Sequence, residues 1–85
     1  MNEDILEIID TLDTFGEESS VPKSVKAKII KVKDILRTGT DDVSIKINRV
    51  LHELEEITDD SNIQPYTRTE LLNIVSMLES ALTRL

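Results

Sequence analysis

The only imidazole in the chain, His52, lies in Arg49-Val50-Leu51-His52-Glu53-Leu54-Glu55-Glu56. Histidine and glutamate on one helix are the residue types of zinc and di-iron chemistry, so spacing decides between a site and a surface. A zinc protease helix needs His-Glu-x-x-His, and Glu56 stands where the second histidine is required. A di-iron bundle takes Glu-x-x-His from two helices, and the residue three before His52 is Arg49. With no cysteine and no repeated ligand motif, no transition-metal site is expected. His52, off the apolar stripe of its helix, is expected to be solvated.

Asp60, Asn62 and Gln64 alternate like the opening of a calcium loop. Pro65 then takes the place of the required glycine, and no glutamate closes the loop. Asp59 and Asp60 are better placed to cap and charge a helix start. Ser19, Ser20, Ser24 and Ser76 have no second histidine to recruit, and Gly16 and Gly39 are too few to cradle a phosphate. Glu7 and Asp10 sit at helical spacing, but carboxylates change pKa only where a cleft desolvates them. These residues predict no enzyme, no cofactor and no metal.

What must position all of these groups is a small, charged, aliphatic chain. Eighty-five residues make one domain, residues 1–85, and bury only roughly 60–65% of the unfolded surface. Without cysteine, the remaining aids to stability are regular helix packing and self-association. Phe15 and Tyr66 are the only aromatics, so platforms for stacking single-stranded nucleic acid are lacking. A net charge of −7 opposes general binding to phosphates. Apolar runs of at most two residues leave no membrane span or signal-peptide core, so a soluble cytoplasmic protein is expected.

Four helices follow from periodicity. Ile5, Ile8, Ile9, Leu12 and Phe15 form the first stripe, with Asn2 as N-cap and Gly16 at the expected left-handed stop. Ser19 or Ser20 is expected to cap the second helix, with Pro22 in its first turn and a seam of Val25, Ile29, Val32 and Leu36. Gly39 ends that helix, and Thr40 or Asp41 is expected to cap a third carrying Val43, Ile47, Val50, Leu51, Leu54 and Ile57. The fourth carries Leu71, Ile74, Val75, Leu78, Ala81, Leu82 and Leu85.

The elbow Glu17-Glu18-Ser19 returns forty-two residues later as Asp59-Asp60-Ser61. The same shift sets Ile5 on Ile47, Ile8 on Val50, Ile9 on Leu51, Leu12 on Leu54 and Phe15 on Ile57. Past the elbows it sets Val21 on Ile63, Ile29 on Leu71, Ile30 on Leu72, Val32 on Ile74 and Leu36 on Leu78. A duplicated hairpin results, with repeats over about 3–38 and 41–84. A superhelical stack of the HEAT type has a similar period, but two repeats would leave it poorly capped. Closing the hairpins on each other buries all four stripes, which predicts an all-α, up-and-down four-helix bundle of two tandem helical hairpins.

Charge is segregated. Residues 1–22 hold seven acids and no base, whereas the second helix sets Lys23, Lys26, Lys28, Lys31, Lys33 and Arg37 against Asp34. Pairing these two helices makes their flanks complementary and helps to select the partner. The competing use of Lys23, Lys26, Lys33 and Arg37 is a ridge for an anion such as RNA, which would make the chain an RNA-associated accessory protein. Leu6, Ile30, Ile45, Leu72 and Met77 fall about 100° or more from the centres of their stripes and are expected to face outward. Single exposed aliphatics are ordinary. Ile30 and Leu72 are equivalent in the repeat, however, and offer a surface for a homodimer or another helical protein.

The two elbows, with Arg68-Thr69-Glu70-Leu71-Leu72-Asn73-Ile74-Val75-Ser76-Met77-Leu78-Glu79, carry a resemblance that spans essentially the whole chain. The sequence resembles uncharacterised protein family 0147, small archaeal proteins of about this length. Its first elbow has Glu18 where the family pattern has Asp, and Gln64 displaces the second elbow's proline by one position. The resemblance implies a four-helix bundle of archaeal, cytoplasmic origin and supplies no catalytic residue. The expected role is a non-enzymatic helical interaction module that self-associates or binds another protein.

Overall fold

The structure, a computed structural model, describes residues 2–60 and 62–85. It consists of α1 (Glu3–Glu17), α2 (Lys23–Arg37), α3 (Val43–Thr58) and α4 (Pro65–Thr83). Every regular element among the described residues is a helix. Packing runs α1–α2, α2–α3, α3–α4 and back from α4 to α1. That last contact closes a ring and excludes an open stack, in which the first and last helices would stay apart. The molecule measures 33 × 20 × 18 Å, the section of two helices by two.

Burial follows the repeat. Nine of the ten aligned apolar positions named above for the first hairpin are buried, as are eight of their partners in the second. The pair exposed on both sides is Ile30 and Leu72; Leu51 is half-buried where its equivalent, Ile9, is buried. Val25 falls on Thr67, the one buried polar residue among the described residues, so that position faces the core in both hairpins.

The helix boundaries revise several expectations. Asn2 caps α1 as anticipated, its side chain accepting from the Asp4 N–H at 2.8 Å. Gly16, however, lies inside α1 and is not its left-handed stop. A Cβ there would sit 3.3 Å from Ile29 Cγ2, so the glycine lets α2 approach closely. Gly39 is the left-handed residue, with φ +81°, directly after the C-cap Thr38 of α2.

Neither Ser19 nor Ser20 caps α2. Val21 is anchored in the core, and its N–H donates to the Glu18 carbonyl across the elbow, so the helix starts immediately beyond, with extended Pro22 as its N-cap. Asp42, not Thr40 or Asp41, precedes α3, and it makes no side-chain cap. Gln64 precedes α4, so neither Asp59 nor Asp60 caps it; the Asp60 carboxylate instead accepts from the Asn62 N–H at 2.9 Å. Ser61, set against Ser19 by the repeat, lies outside the described residues. Pro65 occupies the first turn of α4, and Lys23 and Pro65 are repeat-equivalent helix starts. The displaced proline therefore leaves the hairpin register intact. At the other end of α4, Arg84 turns its N–H back to the Ala81 and Leu82 carbonyls, which ends the helix before Leu85 can join the stripe.

Candidate interaction surfaces

Complementary charge closes three of the four seams. Between α1 and α2, Lys33 Nζ donates to Asp13 Oδ1 at 2.6 Å, and Arg37 lies 3.6 Å from the other Asp13 oxygen. Between α2 and α3, Lys28 reaches Glu53 at 2.6 Å and Glu56 at 3.1 Å, while Lys31 reaches Glu53 at 2.9 Å. Between α4 and α1, Arg84 Nε donates to Asp4 at 2.8 Å. The acidic first and basic second helices thus pair as their composition predicts. The basic helix also serves α3, which the simple pairing of α1 with α2 does not include.

These contacts set the acid response. Hydrogen bonds from Lys28 and then Lys31 hold the Glu53 carboxyl down at about 2, against 4.5 for an ordinary glutamate. Asp13 is lowered by Lys33, and Asp4 by Arg84. A carboxyl whose pKa is lower in the folded state contributes stability that is present above its unfolded pKa and is lost as pH falls through the folded one. Glu53→Gln is therefore expected to lower the melting temperature at pH 7. The gap from the parent should close as pH falls from 4.5 towards 2. Thermal melts across that range check this, and an unchanged gap at pH 2 would remove Glu53 from the acid response.

The α4–α1 seam also brings like charges together. Glu18 and Glu70 share a groove of about 250 Å³ with Thr11, Thr14, Phe15, Asn73 and Ile74. Desolvation, then the neighbouring Glu70, pushes the Glu18 carboxyl up, and the nearby Glu70 also raises the Tyr66 phenol. Glu70 Oε2 is buried with no hydrogen-bond partner. Nothing in the local sequence signals this pair, because its two acids come from opposite ends of the chain.

Leu6, Ile30, Ile45 and Leu72 are exposed at 47, 66, 47 and 53%. Met77 departs from expectation: it is half-buried against the core, lining a groove with Asp4, Ile8 and Arg84 on the seam where α1 covers α4. Of the basic ridge, Lys33 and Arg37 are engaged by Asp13, Lys23 is exposed and Lys26 is half-buried. His52 is exposed, with Nε2 3.7 Å from Glu56. Among the described residues no helix is long and apolar enough to cross a membrane.

The model of an uncharacterised protein family, UPF0147, matches residues 1–81. The chain belongs to this family. A family member from Archaeoglobus fulgidus is 34% identical over 73 residues, covering 86% of this chain and 83% of that protein. One from Methanocaldococcus jannaschii is 33% identical, covering 80% and 73%. The crystal structure of a UPF0147 protein from Thermoplasma acidophilum superposes with a TM-score of 0.85 at 30% identity, over 93% of this chain and 92% of that one. A second crystal structure, of a protein of unknown function, gives 0.84 at 26% identity over 92% and 89%. The family assignment thus agrees with the elbow and α4 motifs that suggested it.

Proposed function

We propose that this UPF0147 chain is a non-enzymatic helical assembly module, binding a second copy of itself or another helical protein through its outer faces. The observation that carries this reading is the shared exposure of Ile30 and Leu72. They are equivalent in the repeat and lie among partners that are otherwise almost all buried, yet both remain in solvent. Covering such residues also adds apolar burial to a small core, where each square ångström removed from water contributes about 25 cal/mol. A cytoplasmic setting belongs to the same reading.

Use of α2 as a ridge for RNA is the weaker alternative, because Asp13 already engages Lys33 and Arg37. Low-salt filter binding that depended on Lys23 and Lys26 would reverse this ranking. Light scattering coupled to size exclusion tests the assembly reading directly. The expected mass exceeds the 9.6 kDa of one chain and falls towards it when Ile30→Asp and Leu72→Asp are combined. A parent chain that is monomeric at every concentration would remove self-association.

A further inference from the structure

The seams of the two hairpins are equivalent in sequence but closed differently. In the first, Lys33 and Arg37 of α2 converge on Asp13 of α1. The equivalents in the second are Val75, Glu79 and Glu55, so the basic arms are gone and two acids and a valine remain. Among the described residues the α3–α4 seam holds no ion pair between its helices, unlike the other three. Leu51, Val75 and Leu82 are half-buried there, and Leu72 is more than half exposed.

On α4 the residues of this seam form a stripe of their own: Arg68, Leu72, Val75, Glu79 and Leu82, stepping by four, three, four and three. That is the spacing by which one helix packs along another. The core stripe Thr67, Leu71, Ile74, Leu78 and Ala81 has the same spacing one residue earlier, so α4 presents two adjoining seams, of which the bundle covers the first fully and the second only in part.

We propose that the α3–α4 seam is a homodimer interface, in which a second copy lays its α4 antiparallel along this stripe about a two-fold axis between Leu72 and Val75. The proposal rests on the assembly reading and selects its partner and its face. Charge favours this geometry. Two chains of net charge −7 repel, so contact is least opposed where like charges do not meet. Arg68 lies four residues before Leu72, and Glu79 four residues after Val75. An antiparallel two-fold therefore sets Leu72 against the partner's Val75 and Arg68 against the partner's Glu79, each twice. A parallel arrangement would set glutamate against glutamate. Arg68 is already steadied for this role, its Nη2 donating to the Asp60 carbonyl at 2.7 Å. The equivalent stripe on α2, Lys26, Ile30, Lys33 and Arg37, carries charge of one sign and repels its own copy under the same symmetry.

Sedimentation velocity over a range of concentrations tests the proposal. The parent chain is expected to dimerise. Val75→Lys copies the residue at the equivalent position of the first hairpin and is expected to weaken the dimer at least about tenfold, by placing a charge in the contact, while the thermal melt of the monomer is retained. Ile30→Lys should leave the dimer intact. Arg68→Glu and Glu79→Arg should each weaken association, and mixing these two variants should restore a one-to-one dimer, because only the mixture has opposite charges at both contacts. A dimer that survives Val75→Lys but is lost with Ile30→Asp overturns this interface and leaves the assembly reading standing. Loss of both single charge variants without recovery on mixing overturns the antiparallel register. A parent chain that never exceeds one copy overturns the interface and self-association together.

Discussion

Replacing Leu54 by alanine is expected to cost about 2–5 kcal/mol, the range for a large buried aliphatic cut back to its Cβ. Leu54 is fully buried on the inner face of α3. Because α4 packs back on α1 and closes the ring, the surrounding helices cannot collapse into the space without disturbing two seams each. A chain of this length is stabilised by roughly 4–13 kcal/mol at 0.05–0.15 kcal/mol per residue, so the loss is a large share of the total. For a domain of this size each kcal/mol lowers the melting temperature by about 4–8 °C. Urea unfolding supplies the measurement. Leu12, the equivalent residue in the first hairpin and equally buried, should behave alike on changing to alanine. A loss under about 0.5 kcal/mol at either position would mean that the stripe faces the wrong way.

The larger effect is expected from Val32→Asp set beside Ile30→Asp. The two positions are two residues apart on α2, about 200° around the helix. Val32 is fully buried, and Ile30 is 66% exposed. A carboxylate at position 32 would lose its hydration among aliphatic side chains with no partner, a penalty of several kcal/mol even after relaxation. That can exhaust the stability of a domain this small, and circular dichroism should show an unfolded or strongly destabilised chain at pH 7. At position 30 the same carboxylate stays in water near Lys26 and Lys33, and the change should remain within about 0.5 kcal/mol of the parent monomer. Equal losses at both sites would contradict the placement of α2 against its neighbours.

Much of this architecture could be read from side-chain types. The stripes follow from a helical period of 3.6 residues, and the repeat follows from aliphatic residues returning after forty-two positions. Exposure of Leu6, Ile30, Ile45 and Leu72 also follows from the wheel, because each is far from its stripe's centre. Met77 shows the limit of that reading. It lies off the stripe of α4, yet α1 packs over that side and half-buries it, and a single helix's wheel does not contain its neighbour. Gly16 is similar: its type fits a helix stop, and the close approach of Ile29 gives it a different purpose. The cap assignments at α2 and α4 failed because Val21 and Ile63, once drawn into the core, set where the chain turns, regardless of which polar side chain lies nearest.

By itself the sequence determined four amphipathic helices, the return of their aliphatic positions after forty-two residues and the complementary charge of α1 and α2, because these depend on local period and composition. Only the tertiary structure decided how the charges are shared. Lys28 and Lys31 turn to Glu53 on α3, Lys33 and Arg37 to Asp13 on α1, and Glu18 meets Glu70 across the closing seam. Such pairings depend on distances between residues remote in the chain, which exist only once the ring has closed. Among the described residues the same closure leaves the α3–α4 seam without an ion pair between its helices and the other three bridged by ions.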